Sequence, residues 1–364
     1  EELGKRKEYY ARRFPNVDGV VGLTHNSGCG VVSLSPAHLR ENLTVNNLIG
    51  HPNVSGRVVV QLGCEKSQGS VIFGEDRLAP VLHESASDPK KIPLITIQDQ
   101  GGTWDTVDKI VNFVEQQLLP RANRRRRELI PASELILALQ CGGSNAASGL
   151  TVNPAIGYAA DLLVRCGGAP FISETTETAG AEHLLASRAR TPEVAARFLQ
   201  FVDQYNTYLG LGGGTVQHNL GHGNMAGGLT TIAEKSLGAI AKGGTSPLCW
   251  VNDYAEKVTQ KGFGFMNGPA YDPPSATGQT AGGAQVGVFS TGAGSCFGGL
   301  LVPWIKVVSN TPVFEQMDDM EINGGRITDG TATLEDVGRQ IFETVLAVAS
   351  GARTYSEKLG YSVV

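Results

Sequence analysis

Apolar residues along this chain fall into two patterns. Short runs, each ending in a glycine-rich turn, cover residues 17–23, 57–62, 93–97, 134–139, 169–173, 286–290 and 304–308. Their lengths and β-branched content predict buried strands. Between several of them the apolar positions recur at helical spacing. That period predicts helices over 104–119, over 154–165 with Asn153 as cap and Pro154 at the first helical position, and from Thr191-Pro192-Glu193 to about Tyr208. Thr333 with Asp336 three residues later reads as a capping box for a helix over 334–350. Strands alternating with helices predict an α/β fold, here two α/β domains with largely parallel sheets and Gly-rich strand-end loops. The linker around Pro120–Pro131 separates residues 1–125 from residues 131–364, and no internal repeat is visible.

Length supports that division, because 364 residues exceed what one hydrophobic core usually serves. The 47 glycines stand well above an average share of about 7% and follow no short repeat. They cluster, as at Gly142-Gly143, Gly212-Gly213-Gly214 and Gly227-Gly228, which suits tight turns and backbone brought close to a ligand. A net charge of -5 gives no electrostatic reason to expect nucleic acid, and the basic run Arg124 to Arg127 reads as a solvated linker. No window approaches the roughly 18 apolar residues of a membrane span, and no signal peptide opens the chain. The chain starts at Glu1 rather than Met, so residues upstream are expected. Six cysteines in a chain this long do not call for a disulfide framework, and a reduced, cytoplasmic setting is expected.

That setting frees the cysteines for metal work. Cys29, Cys64 and Cys141 each sit in a glycine-flanked loop after a predicted strand, where open α/β sheets bind ligands. Three thiolates can hold iron, zinc or an iron–sulfur cluster; equally, free cysteines are small buried hydrophobes. Cys166, Cys249 and Cys296 lack the shared context and are assigned to packing. His25, four residues before Cys29, has three open roles: general base, ligand or loop brace. His218 and His222 lie in a polar glycine loop that can present backbone N–H groups to an anion. His51, before Pro52, reads as a turn residue. Glu174 and Glu177 follow an apolar strand, as a site or as an ordinary surface turn.

Several segments resemble the altronate/galactarate dehydratase family: Asn16-Val17-Asp18-Gly19-Val20, the loop from Thr24 to Gly30, His51-Pro52-Asn53-Val54 and Leu62-Gly63-Cys64-Glu65. In the second half the resemblance continues through Gln140 to Ser144, Ser173-Glu174, Ala226 to Gly238, Lys306-Val307 and Val348-Ala349-Ser350-Gly351. It implies a hydro-lyase that removes water from a polyhydroxy sugar acid to give a 2-keto-3-deoxy acid. Iron, as ferrous ion or iron–sulfur cluster, or another divalent metal would assist by stabilising enolate charge. Cys29, Cys64 and Cys141 are then the metal candidates. His25 is the candidate base, with Glu65 and Glu174 as second choices. Ser144, Asn145, His222, Asn224, Thr291 and Gly292 are the candidate substrate-binding residues. The resemblance also implies a small β-rich domain ahead of this region, or a separate subunit supplying it, and a homo-oligomer.

Departures from the family pattern bear on substrate. Met225 and Ala293 replace an expected Lys and Arg, and Asn145 and Glu321 replace expected aspartates. Losing two cations disfavours a dicarboxylate and points to a substrate with one carboxylate. Two other readings stay open: elimination of a group other than water, as in sulfolactate sulfo-lyases, and a non-catalytic homologue that binds a ligand or pairs with an active subunit.

Overall fold

The computed structural model describes residues 2–25, 27–81, 86, 88 and 90–362. It divides into two compact units, Glu1–Leu129 and Ile130–Val364.

The first unit holds three short parallel strands, β1 (Val59–Gln61), β2 (Leu78–Pro80) and β3 (Ile92–Thr96), in the order β1-β3-β2. The strand expected over 17–23 does not form. Gly19 and Gly22 interrupt that run, no strand of the three-stranded sheet lies beside it, and Val21 and Leu23 are exposed. An unexpected helix, Pro36–Ile49, begins with Ser35 accepting from the His38 backbone and with proline in its first turn. Its buried residues are mainly polar (His38, Asn42 and Asn47 beside Leu48), so no apolar stripe announced it. The expected helix over 104–119 forms as Thr103–Phe113, a π-turn over Val114–Leu118, and a last turn, Leu119–Ala122, that accommodates Pro120.

Seven parallel strands form the second unit's sheet: β4 (Ile136–Cys141), β5 (Ala169–Ile172), β6 (Leu248–Asn252), β7 (Phe263–Met266), β8 (Val286–Thr291), β9 (Trp304–Val308) and β10 (Ile322–Asn323). Their order is β10-β9-β8-β4-β5-β7-β6. From β4 the chain lays down β5, then β6 at the edge and β7 between them, before returning to build β8, β9 and β10 outward on the other side. The order therefore reverses between β4 and β8, the place where doubly wound sheets open a crevice at their carboxyl ends. Both faces are covered, so the strands read as near-continuous apolar runs. Leu137, Leu139, Val288 and Ile305 pack with the Val152–Arg165 and Leu334–Ala349 helices. Ala138, Phe171, Phe289 and Trp304 form the opposite core with Ala276 of the Asp272–Ala281 helix.

Strands β6 and β7 went unread because they are short, and Gly264 interrupts the second. That glycine is required, since a Cβ there would lie 2.0 Å from the Trp250 ring. Asn153 is not a helix cap. The helix starts at Val152, and buried Asn153 donates to the Gly238 carbonyl (2.9 Å) and accepts from the Ser290 hydroxyl (2.6 Å). The capping box at Thr333 and Asp336 forms as expected, and residues 124–130 are exposed. No helix is long and apolar enough to cross a membrane.

Helix packing behind the sheet depends on small residues. A Cβ on Gly157 would stand 2.2 Å from the Ala241 carbonyl oxygen and 2.8 Å from the Gly244 nitrogen. Backbone cannot swing away as a side-chain tip does, so Gly157→Ala should lower stability by about 1–3 kcal/mol. A urea titration reads this as a lower midpoint; an unchanged midpoint would show that the helix shifts at no cost.

Candidate active site

The carboxyl ends of β4, β5 and β8 gather the buried polar side chains of the second unit. Alternation along β4 sends Gln140 to one face of the sheet and Cys141 to the other. On the first face the Gln140 amide donates to Glu174 and to Asp272 (3.2 Å), while its oxygen accepts from Ser275 (3.2 Å). On the second face the Cys141 thiol meets the Glu177 carboxylate at 3.3 Å, and Lys242 donates to the Cys141 sulfur (2.8 Å) and to Glu177 (3.1 Å). Lys235 approaches Glu177 at 4.0 Å and donates to the Asn219 carbonyl (2.8 Å). The segment 173–178 is not a surface turn: Glu174 and Glu177 are each 3% exposed.

Glu174 holds a backbone conformation that side chains seldom adopt, with φ of 70°. Such a residue costs on the order of 1–3 kcal/mol and persists only where its surroundings fix it. Here Thr175 donates its backbone N–H to the Gly268 carbonyl (3.1 Å), Glu177 donates to the Glu174 carbonyl (3.0 Å), and Ser173 donates to Met266 (3.1 Å). Glycine also sets the approach of Asp272, since a Cβ on Gly142 would lie 2.3 Å from its carboxylate.

Three carboxyl groups in one buried cluster titrate differently. Burial, reinforced by the negative charges of Glu177 and Asp272, raises Glu174 well above the usual range. Asp272 is raised chiefly by partial burial. Glu177 is lowered, because Lys242, Lys235 and hydrogen bonds outweigh the burial that opposes its charge. Burial also pushes the Cys141 thiol up to about 12, so it is protonated at neutral pH. Lys242 is raised, because the Cys141 sulfur and the Glu177 carboxylate outweigh the burial that opposes its charge. The cluster thus sets a Lys242–Glu177 ion pair beside a Glu174 whose burial favours the protonated form.

Among the other expected residues, the structure brings Ser144, Asn145, Asn224, Thr291 and Gly292 together. Asn224 donates to the Ser144 carbonyl (2.8 Å), and Asn145 donates to the Gly292 carbonyl (3.1 Å). The Asn145 oxygen accepts from Ser148 and Ser309, which makes Asn145 a bracket between loops. Thr291 is fully buried, and its hydroxyl has no partner among the described residues. His222 opens the short helix His222–Ala226 and is exposed. In the first unit His25 pairs through Nδ1 with Glu41 (2.7 Å), whose other oxygen accepts from Ser27. Both Glu65 oxygens accept backbone N–H groups, from Leu62 (2.7 Å) and Gly63 (2.6 Å), which braces the Cys64 loop. Cys29 and Cys64 are exposed; so are Cys166 and Cys296, which therefore do not serve packing.

The match to known families covers nearly all of the chain. Residues 132–364 match the model of the D-galactarate/altronate dehydratase C-terminal region, and residues 1–123 match that of the second domain of D-galactarate dehydratase/altronate hydrolase. The chain belongs to the galactarate/altronate dehydratase family. It is 42% identical over 331 residues to galactarate dehydratase (L-threo-forming) of Escherichia coli, covering 89% of this chain and 62% of that enzyme. It is 32% identical to altronate dehydratase of Bacillus subtilis, covering 94% of this chain and 66% of that enzyme. The beta subunit of (2R)-sulfolactate sulfo-lyase from Chromohalobacter salexigens is 32% identical over 72% of this chain and 68% of its own length. The chain thus spans just under two thirds of the two dehydratases.

Family membership brings in the metal expectation. Within either unit, no three His, Cys, Asp or Glu side chains among the described residues are gathered to hold an ion. The Cys141 sulfur is engaged by Lys242 and Glu177, and the Lys242 ammonium already places a cation 2.8 Å from it, which disfavours a metal ion there. The donor set within the second unit does not fit a metal, and no step below is routed through one.

What the sequence reading missed are the partners of Gln140 and Cys141, namely Asp272, Lys242 and Lys235, and Glu41 beside His25. Asp272-Pro273-Pro274 carries a helix-start signal that marks the first of these; Lys242, the residue that ends the Ile232–Ala241 helix, reads from sequence as an ordinary basic helix end.

The titration pattern has opposite consequences for two variants. Glu174 is raised, so the unfolded chain loses that proton at lower pH than the folded one, and its presence weakens the fold as pH rises past 4.5. Glu177 is lowered, so its contribution is present above 4.5 and lost on acidification. Urea midpoints at pH 4 and pH 7 should show Glu174→Gln gaining on the parent protein toward pH 7, and Glu177→Gln losing. The reverse order would contradict the assignment.

Proposed function

We propose that this chain catalyses the dehydration of a polyhydroxylated sugar acid to its 2-keto-3-deoxy product, with chemistry at the carboxyl edge of the seven-stranded sheet. The observation that carries the proposal is a buried Glu174, raised by that burial, linked through the Gln140 amide to the less buried Asp272. Elimination of water requires a base for the proton beside the substrate carboxylate and an acid for the departing hydroxyl. Glu174, the more deeply buried of the two, keeps its proton and gives it to the leaving oxygen. Asp272 ionises first and takes the carbon-bound proton. Both accept from the Gln140 amide, and the charge of Asp272 helps to raise Glu174. Burial puts both groups nearer the operating pH, where acid–base transfer is most effective.

Glycine-rich loops after β4 and β8 flank the same edge, at the point where strand order reverses. The unpartnered Thr291 hydroxyl at the end of β8 is suited to a substrate oxygen, since a buried hydroxyl without a partner is costly until a ligand satisfies it. Lys242 is fully buried and engaged by Cys141 and Glu177, so its part is to hold Glu177 ionised and thereby keep Glu174 protonated. Substrate choice rests on two opposed observations. Neither Met225 nor Ala293 supplies a cation, which favours one carboxylate, whereas identity is higher to the galactarate enzyme than to the altronate enzyme.

A keto-acid assay over galactarate, altronate and other aldonic acids tests the proposal. At least one should be turned over by the parent protein. Glu174→Gln and Asp272→Asn should each lower kcat by about 10²–10⁴-fold, the usual share of a general acid or base. Parent-like kcat in both variants would overturn the assignment.

A further inference from the structure

The connection from β8 to β9, residues 292–303, spans the sheet edge without a helix. Its first residues belong to the site proposed above: the Gly292 and Ala293 N–H groups donate to the Gly143 carbonyl, and the Gly292 carbonyl accepts from Asn145 and Asn310 (2.8 Å). Its middle is held from below by a different set of residues. Lys306, in β9, is fully buried, and its ammonium donates to the Ser295 carbonyl (3.2 Å), to Asp319 and to the Tyr361 hydroxyl. The Tyr361 hydroxyl donates in turn to Asp319. Tyr361 lies in the C-terminal segment, after the short Tyr355–Leu359 helix. The same segment crosses the connection at Gly298, where a Cβ would stand 2.7 Å from the Ser356 Cβ and 3.1 Å from the Tyr361 carbonyl oxygen.

We infer that Tyr361 is a positioning residue: through Lys306 and Asp319 it fixes the β8–β9 connection, and so places Thr291 and Gly292 for substrate. A buried ammonium with three acceptors is fixed in direction. Removing one partner frees the group that carries the Ser295 carbonyl. Phe297, stacked on Phe289 at 4.7 Å, keeps the connection attached when that hold loosens, so the effect is a shift of the loop without unfolding. The substrate half of this inference rests on the dehydratase reading; the anchoring half does not.

Hydrogen exchange on the full chain, combined with steady-state kinetics, tests it in Tyr361→Phe, which keeps the ring and loses only the hydroxyl. Exchange over residues 292–303 should quicken by about fivefold, while residues 136–141 stay unchanged. KM for the sugar acid should rise by about tenfold with kcat within about twofold, the mark of lost binding rather than lost chemistry. Asp319→Asn, which keeps side-chain volume, should repeat both effects. Unchanged exchange over 292–303, or exchange quickened equally across the second unit, overturns the inference, as does a fall in kcat at constant KM. A parent protein inactive on every sugar acid would sink the dehydratase reading alone, and the exchange result would still decide whether Tyr361 anchors the loop.

Discussion

A carboxylate taken out of water needs a cation, a set of hydrogen bonds or a proton, because an unpaired buried charge costs several kcal/mol. Three carboxyl groups at the carboxyl edge of this sheet divide those remedies among themselves. Glu177 takes the cation, Lys242; Asp272 takes partial exposure and the Gln140 amide; Glu174 keeps its proton. The arrangement depends on the alternation of β4, which places Gln140, bonded to Glu174 and Asp272, on one face and Cys141, bonded to the ion pair, on the other. Without Lys242, Glu177 would compete for that proton, and the distinction between acid and base would blur.

The glycines make this crowding possible. Gly142 admits the Asp272 carboxylate, Gly264 admits the Trp250 ring, and Gly157 lets helices pack backbone to backbone behind the sheet. Each stands where a methyl group would displace something that cannot move. An elevated glycine content is therefore the compositional trace of a site built from closely approaching backbone. The strained Glu174 backbone belongs to the same logic: it re-aims the carboxyl group at the end of a strand, and neighbouring hydrogen bonds hold it there.

Much of this was legible in the sequence, and the limits have physical causes. The α/β class followed from the run lengths, and β4, β5, β8 and β9 lie where the apolar runs put them, because strands buried on both faces advertise themselves. The run over 17–23 misled, since apolar content without a partner strand does not make a sheet. Glu174 was visible as a carboxylate at a strand end, and Gln140 to Ser144 as a motif. Their partners were not, because Lys242 lies 101 residues beyond Cys141 and Asp272 lies 132 beyond Gln140. Only the folding of the sheet brings those stretches together. The cysteines share a sequence context but not an environment: Cys141 is buried against Lys242 in the second unit, and Cys29 and Cys64 are exposed in the first.

Burial of Glu174 at the sheet edge should keep its carboxyl group neutral at pH 7. Infrared difference spectroscopy on the parent protein and Glu174→Gln at pH 7 reads that state directly, since a protonated carboxyl has a carbonyl stretch that a carboxylate lacks. The account predicts such a band in the parent protein and its loss in the variant. A parent spectrum without that band, or a band that survives the substitution, would contradict it.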